Sequence, residues 1–183
     1  YTESDPVSPI GVYGRSKAAG EAAVRRELDR HVILRTAWLC GLHGGNFVKT
    51  MLRLGREKEE IRVVDDQHGC PTFAADLAAA IWTMVERIRV GQVQAWGTYH
   101  FCNTGETTWY GFAAAIFEEA GRYETFRLRE LVPVPSEAYP TAAARPKHSQ
   151  LDCQKLERVF GVRRRHWKLA LQEMLAGLYA ETL

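Results

Sequence analysis

The stretch "PIGVYGRSKAAGEAAVRREL", residues 9–28, leads almost directly into "HVILRTAWL", residues 31–39. The first stretch repeats apolar or long side chains at helical spacing, which predicts a helix with one continuous face. Ser8 and Pro9 suit its start, because serine can cap free N–H groups and proline fits the first helical position. The second stretch is mostly apolar and is followed by "CGLHGGN", a pattern typical of a buried strand.

Helices and strands alternate along the remainder of the chain, which indicates an α/β fold with some parallel pairing. Further helices are predicted at 46–60, 73–90, 107–121, 151–162 and 167–183. Further strands are predicted at 61–66 and 97–103. The proline-containing segment 131–149 is too irregular for a helix and is interpreted as a long loop. One aromatic stripe is predicted to lie in the core: Trp109, Tyr110, Phe112, Ile116 and Phe117.

The composition is that of an ordinary globular protein and excludes several classes of partner. The 183 residues carry a net charge of +2, so neither nucleic acid nor an anionic membrane is indicated. No apolar run approaches the roughly 20 residues that a membrane span needs, and no secretory signal opens the chain. The four cysteines form no C-x-x-C pair, which argues against a zinc site and a disulfide framework and favours the cytoplasm.

Tyr13 and Lys17 lie four residues apart, on one face of the predicted helix. A phenol ordinarily titrates near about pH 10, and an adjacent ammonium favours the phenolate, which makes a phenol a workable acid or base at neutral pH. The same spacing also arises by chance in surface pairs. The spacing alone therefore leaves two interpretations, a surface pair or a proton donor with its electrostatic partner.

The sequence around this pair favours the second interpretation. "ESDPVSPIGVYGRSKAAGE" resembles the active-site helix of the extended short-chain dehydrogenase/reductase family, with an acidic residue and two prolines before Tyr-x-x-x-Lys and a glutamate after it. "ILRTAWLCGLHGGNFVKTML", "RVVDDQHGCPTFAADLAAAI" and "YPTAAARPKHSQLDCQKLERVFG" resemble one branch of that family, the dTDP-4-dehydrorhamnose reductases. The resemblance runs in order over nearly the whole chain.

The resemblance implies a reaction. A reductase of this branch delivers hydride from NADPH or NADH to the C4 ketone of dTDP-4-dehydro-L-rhamnose and forms dTDP-L-rhamnose, a precursor of cell-surface polysaccharide. Tyr13 would give its proton to the sugar oxygen, and Lys17 would bind the nicotinamide ribose while its charge acts on the phenol. The chemistry needs such a donor, because hydride addition to a ketone makes an alkoxide whose charge must be met.

The implied architecture is a partial Rossmann-type, doubly wound domain without its N-terminal strands, joined to a small α/β substrate-binding region. Residues 1–40 would be the remnant of the dinucleotide-binding domain, with the active-site helix at about 9–29 and a strand at about 32–38. Residues 41–183 would be mainly the substrate-binding region, with about 98–120 returning to the Rossmann core.

Six residues are predicted to contact the dTDP-sugar. Trp38 offers a flat apolar ring to the C–H face of a deoxysugar, although a core aromatic is the simpler interpretation. Asn46, Phe47 and Lys49 open a predicted helix, whose free N–H groups suit the diphosphate. A capping Asn46 beside an exposed Lys49 is the equal alternative. The guanidinium of Arg145, in the long loop, suits the binding of a phosphate, and a solvated side chain is the equal alternative. The other five candidates are Asn46, Phe47, Lys49, Gln67 and Arg145.

No metal site is predicted. Asp65 and Asp66 are adjacent, but they alternate faces on a strand and have no partner ligands nearby in sequence. The histidines at 43, 68 and 100 are separated by turns and strands. The family allows dimerisation assisted by Mg²⁺, but no set of residues in this chain supports such an ion.

The resemblance also implies two parts that this sequence does not contain, a glycine-rich pyrophosphate turn and an upstream Ser or Thr that shares catalysis. The chain is therefore expected to be the C-terminal portion of a longer enzyme, to need an N-terminal dinucleotide-binding half and to be inactive alone. Small residues at 18–23 permit helix packing in a homodimer. Two alternatives stay open, a non-catalytic regulatory subunit of the same fold and a reductase of another 4-keto deoxysugar nucleotide.

Overall fold

The computed structural model describes residues 1–139 and 146–180 of the chain. Its helices are α1 (Val12–Glu27), α2 (Phe47–Glu57), α3 (Ala74–Arg89), α4 (Trp109–Ala120), α5 (Gln154–Phe160) and α6 (Trp167–Ala180). Its strands are β1 (Val32–Arg35), β2 (Leu39–Cys40), β3 (Glu60–Val64), β4 (His68–Gly69), β5 (Thr72–Phe73), β6 (Gly97–His100), β7 (Thr107–Thr108) and β8 (Glu130–Val134). The alternation confirms the predicted α/β fold class.

The strands pair two by two, and the β1–β6 pair organises the chain. β1 runs parallel to β6, from Val32 opposite Gly97 to Arg35 opposite His100. β2 pairs with β5 and β3 with β8, both in parallel, whereas β4 and β7 are antiparallel. Parallel neighbours need a long crossover. The whole chain between β1 and β6 therefore forms one crossover, which carries α2 and α3.

Two cores hold the helices in place. In the larger core α4 packs on α2, α6 and β3, and Phe112, Ile116 and Leu175 are fully buried there. The smaller core lies between α3, α5 and β6, around Tyr99 and Leu156. The core position predicted for the aromatic stripe of α4 is confirmed, since its two central members are fully buried and the other three pack against the same core.

α1 begins later than the sequence predicted. The helix begins at Val12 rather than at Pro9, and Gly11 before it is extended and makes no side-chain cap. Pro9 packs against the first turn instead. A Cβ added to Gly14 would lie 2.9 Å from the Cβ of Pro9. The proline therefore contacts the first turn from an extended segment and does not form part of it.

α1 buries none of its faces within the described residues. None of its residues is buried, and the exposed fractions of Val12 and Tyr13 reach 74% and 76%. Polar contacts attach the helix to the β1–β6 pair. Glu21 accepts two hydrogen bonds from Arg35 at 2.6 and 2.7 Å, and Arg25 donates to Glu21 at 2.7 Å and to Thr98 Oγ1 at 2.9 Å.

The first strand is shorter than its apolar run. A strand was predicted at about 32–38, but β1 ends at Arg35 and a separate strand, β2, begins at Leu39. Between them Trp38 has a φ of 49°, in the left-handed region that β-strands do not use. The run of apolar residues is continuous, but the backbone turns at Trp38.

The interpretation of 131–149 as a loop throughout is wrong at its start. Residues Glu130–Val134 form β8, which pairs in parallel with β3 and sets Pro133 opposite Val63. Proline has no N–H to donate and is tolerated at a sheet edge. β8 is such an edge, since β3 is its one partner strand among the described residues.

No helix in the described part of the chain is long and apolar enough to cross a membrane. All four cysteines are buried free thiols, and Cys102 Sγ lies 3.7 Å from Cys153 Sγ without a disulfide between them. Burial raises the pKa of the Cys40 thiol to about 11, so this group stays protonated at neutral pH.

Replacing Glu21 with glutamine should loosen α1 from β1. Glu21 is largely buried against Arg35, and the hydrogen bonds from Arg35 hold its pKa below the ordinary value of 4.5. This stabilisation is present above pH 4.5 and is lost as pH falls through the lowered pKa of the folded state. We expect Glu21→Gln to lower the free energy of opening of α1 by about 1–3 kcal/mol, measured by hydrogen exchange.

Glu27→Gln is the matched control, because Glu27 pairs with Arg26 in an exposed contact of 2.8 Å. Exposed pairs of this kind contribute little to stability. Equal effects of the two substitutions would contradict the role given to Glu21.

Candidate active site

Tyr13 and Lys17 form the first part of the candidate site, on the exposed face of α1. The helical spacing places the Lys17 ammonium 5.5 Å from the centroid of the Tyr13 ring. Ser16 donates to the Tyr13 backbone carbonyl at 2.8 Å, so it is bound to its own helix. Within the described ranges the Tyr13 hydroxyl makes no hydrogen bond and Lys17 forms no ion pair, so both polar groups remain available for a ligand.

Trp38 lies beyond the carboxyl end of β1, the end at which parallel α/β sheets bind ligands. Its ring stacks on Trp109, with the centroids 3.7 Å apart and the planes at 13°. Phe47 contacts the other member of this stack, since its ring centroid lies 4.6 Å from that of Trp109. Two predicted contact residues, Trp38 and Phe47, are thus brought into one aromatic cluster.

The N-terminus of α2 follows the capping alternative for Asn46. The Asn46 side chain accepts from the Lys49 backbone N–H at 3.2 Å and donates to the Gly41 carbonyl at 2.7 Å. Both the oxygen and the nitrogen of this amide therefore bind nearby backbone groups. The Lys49 side chain is half-buried, at the start of a helix whose remaining N–H groups suit an anion.

Asp66 ties the loop after β3 to the segment after β8. It accepts from the backbone N–H and the hydroxyl of Ser136, at 2.9 and 2.6 Å, and Lys147 approaches it at 3.4 Å. The hydrogen bonds from Ser136 hold the pKa of Asp66 below its usual range. Gln67, a predicted contact residue, donates to the same hydroxyl at 2.9 Å. Asp66 thus holds Ser136, which follows β8, and Lys147 close to the loop after β3.

Histidine and carboxylate side chains surround the same loop without forming a metal site. Thr108 donates to Asp65 at 2.5 Å, and His68 lies 3.1 Å from Glu106 and stacks on His148 at 5.3 Å. In the two described ranges no group of three or more His, Cys, Asp or Glu side chains converges as a metal ion requires.

The structure brings two of the predicted contact residues together, since Trp38 and Phe47 both contact Trp109. Lys49 lies at the N-terminus of α2, which Asn46 caps, and Gln67 lies in the loop after β3 and donates to Ser136. Tyr13 and Lys17 contact each other on α1, in a separate group. The prediction for Arg145 falls outside the described residues.

Two contacts were missed by reasoning from the sequence. Trp109 was predicted to lie in the core and does pack against it, but the sequence did not show that it also stacks on Trp38. The contact of Asp66 with Ser136 joins residues 70 positions apart and has no local signal.

A parallel strand pair with a helix carrying Tyr-x-x-x-Lys beside it and candidate ligand-binding residues beyond the strand ends defines a class, the Rossmann-type short-chain dehydrogenases/reductases. Comparison with known proteins narrows the class. The family described as RmlD substrate binding domain matches residues 1–180. The chain belongs to this family.

Three relatives illustrate the similarity. The chain is 39% identical to dTDP-4-dehydrorhamnose reductase of Salmonella typhimurium over 183 residues, which is 100% of this chain and 61% of that one. It is 42% identical to the reductase of Aggregatibacter actinomycetemcomitans over 182 residues, 99% of this chain and 61% of the other. The crystal structure of the Bacillus anthracis reductase in complex with NADP superposes with a TM-score of 0.82 at 39% identity, covering 97% of this chain and 59% of that chain.

The chain thus spans about three fifths of the length of these relatives, and it matches their C-terminal part. The resemblance to dTDP-4-dehydrorhamnose reductases that the sequence motifs indicated is confirmed at the level of the family.

Replacing Asp66 with alanine should release Ser136, which follows β8, from the loop after β3. Ser136 would lose the acceptor for its backbone N–H and its hydroxyl, and Lys147 would lose one of its two carboxylate partners. We expect the Ser136 amide to exchange with solvent faster in Asp66→Ala, as measured by hydrogen exchange.

Asp65→Ala removes the neighbouring carboxylate, which accepts from Thr108 instead, and serves as the control. Unchanged protection of Ser136 in the Asp66 variant, or equal loss in both variants, would refute the assignment of Asp66 as the tie between the two segments.

Proposed function

We propose that this chain provides the proton donor and the sugar-binding surface of an NAD(P)H-dependent reductase that converts dTDP-4-dehydro-L-rhamnose to dTDP-L-rhamnose. One observation carries the proposal. In a chain of this family, Tyr13 and Lys17 stand together on an exposed helix with both polar groups uncommitted. A pair that served only the fold would be expected to have partners within it.

Tyr13 acts as the general acid. A bound nicotinamide cofactor supplies the hydride that reaches C4 of the sugar. The Tyr13 hydroxyl donates its proton to the C4 oxygen as negative charge develops there, which lowers the barrier because the donor is already in place. The Lys17 ammonium lies 5.5 Å from the centroid of the Tyr13 ring, and its N–H donors are free to bind hydroxyl groups.

The residues of this chain fit the nicotinamide ribose of a dinucleotide but not its pyrophosphate. The uncommitted Lys17 ammonium beside the Tyr13 ring suits the nicotinamide ribose. The sequence contains no glycine-rich turn that could hold the pyrophosphate. We therefore propose that the pyrophosphate is held by a dinucleotide-binding segment outside this chain, which spans about three fifths of the length of relatives, one of which is a complex with NADP. Among the described residues β6 is the one strand that pairs with β1, and the other edge of β1 is the surface that such a segment would cover.

The sugar nucleotide would lie along the second group of residues. The Trp38 ring would contact the deoxysugar, and the N-terminus of α2 with Lys49 would meet the diphosphate. Gln67 and Arg145 complete the proposed set, and Asn46 contributes by holding the helix start in place.

The proposal extends to the assembly and the compartment. Ala19, Gly20 and Ala22 are exposed on α1 and small enough to admit a second helix, which supports a homodimer through this face. The four free thiols support the cytoplasm, where cysteines stay reduced.

Removal of the Tyr13 hydroxyl should abolish most of the activity. In the protein at its natural length, we expect Tyr13→Phe to lower kcat by about 10²–10⁴-fold, the usual contribution of a positioned acid. The assay is cofactor oxidation at 340 nm with dTDP-4-dehydro-L-rhamnose. Lys17→Met should raise the KM for the cofactor as well, because the ribose loses its donor.

Tyr123→Phe is the control, since Tyr123 is an exposed tyrosine stacked on Tyr179 at 4.6 Å. Retention of full activity by Tyr13→Phe would exclude Tyr13 as the acid. Absence of turnover in the unmodified protein would exclude the reductase itself.

A further inference from the structure

Trp38 is held in a backbone conformation that its own side chain disfavours. It is the one residue other than glycine, within 1–139 and 146–180, that has a positive φ. Bulky residues reach this region only when the surroundings impose it, and such strain concentrates at functional sites. The Trp38 carbonyl accepts from the Thr72 N–H at 3.1 Å, which fixes one side of the turn.

Trp109 holds the Trp38 ring from one direction. The two indoles overlap almost in parallel at 3.7 Å, which fixes both the position and the plane of the Trp38 ring. Trp109 in turn contacts Phe47, and Phe47 stacks on the fully buried Phe112 at 5.5 Å. The stack is therefore continuous with the larger core and is not a surface contact.

The start of α4 is itself tied down. Thr108 caps the helix by accepting from the Gly111 N–H at 3.0 Å, and it donates to Asp65 at 2.5 Å. Trp109 is the next residue, so its backbone has little freedom. The position of the Trp38 ring is thus determined by a helix terminus that lies about 70 residues further along the chain.

Gly69 confines the Trp38 ring from another direction. A Cβ added at this glycine would lie 2.7 and 2.8 Å from two atoms of the Trp38 ring and 2.6 Å from Ser149 Oγ. Its φ is not in the positive range, so the chain needs glycine here for space and not for conformation. Any larger residue at this position would overlap the indole and Ser149 Oγ, so that at least one of them must shift.

We propose that Trp109 and Gly69 are positioning residues for the dTDP-sugar, which act by fixing the Trp38 ring where it meets the sugar. This inference rests on the proposed function. It explains why Trp38 keeps a disfavoured backbone: the stack holds the indole in the one place where it can discriminate among sugars. The part of the ring that Trp109 and Gly69 leave free is the part that contacts the substrate.

The test uses the protein at its natural length and three variants of the stack. Trp109→Leu removes the stacking partner, Trp109→Phe restores an aromatic one, and Gly69→Ala displaces the Trp38 ring while Trp109 stays intact. The control is Trp82→Leu, because Trp82 lies on α3 with 66% of its surface exposed. For each protein, kcat and the KM values for dTDP-4-dehydro-L-rhamnose and for the cofactor are measured, together with the circular dichroism couplet of stacked indoles.

We expect Trp109→Leu and Gly69→Ala to raise the KM for the sugar nucleotide by at least about tenfold and to leave the cofactor KM within about twofold. The couplet should disappear in Trp109→Leu. Trp109→Phe should recover most of the sugar KM, and Trp82→Leu should match the unmodified protein in both constants. A change confined to one substrate separates positioning from loss of folded protein, which lowers kcat alone.

Other outcomes overturn the inference in distinguishable ways. An active unmodified protein whose Trp109→Leu variant keeps the sugar KM after loss of the couplet shows that the stack does not position Trp38 for substrate, and the proposed function stands. A fall in kcat alone assigns Trp109 to the fold. No cofactor oxidation by the unmodified protein overturns the proposed function and the inference with it.

Discussion

The parallel pairing of β1 with β6 is the constraint on which the rest of the structure depends. Because parallel neighbours cannot be joined by a tight turn, 61 residues between Arg35 and Gly97 must leave the pair and return to it. That excursion carries α2, the Asp66 loop and α3, and it sets Trp38 just beyond the end of β1. The same two strands anchor α1 through Arg35 and Thr98.

The two parts of the candidate site are supported in different ways. The group around Trp38 is backed by the larger core, through rings that reach fully buried Phe112. The helix with Tyr13 has no buried residue and is held by charged hydrogen bonds. Charged contacts fix a helix less firmly than packed apolar surface does. Tyr13, the proposed proton donor, therefore stands on the less supported element, where a further segment would complete the proposed site.

Local periodicity predicted the helices and the α/β class, because core-facing positions of α2 and α4 repeat at 3.6-residue spacing. Local periodicity did not predict the backbone conformation at positions where residues distant in sequence make contact. Trp38, with its left-handed backbone, stacks on the distant Trp109, and the strand at Pro133 pairs with β3. For the site, the motif with Tyr13 located the pair, but Asp66 meets Ser136 only in three dimensions. α1 formed as a predicted helix, but none of its residues is buried against the described part of the chain.

A crystal structure of the protein at its natural length, with dTDP-L-rhamnose and the oxidised cofactor, tests the central claim most directly. The account predicts the Tyr13 hydroxyl within about 2.6–3.2 Å of the O4 atom of the sugar, with the Lys17 ammonium on the nicotinamide ribose and the Trp38 ring against the sugar. A sugar bound with O4 beyond the reach of Tyr13, even through one water, would contradict the assignment of Tyr13 as the proton donor.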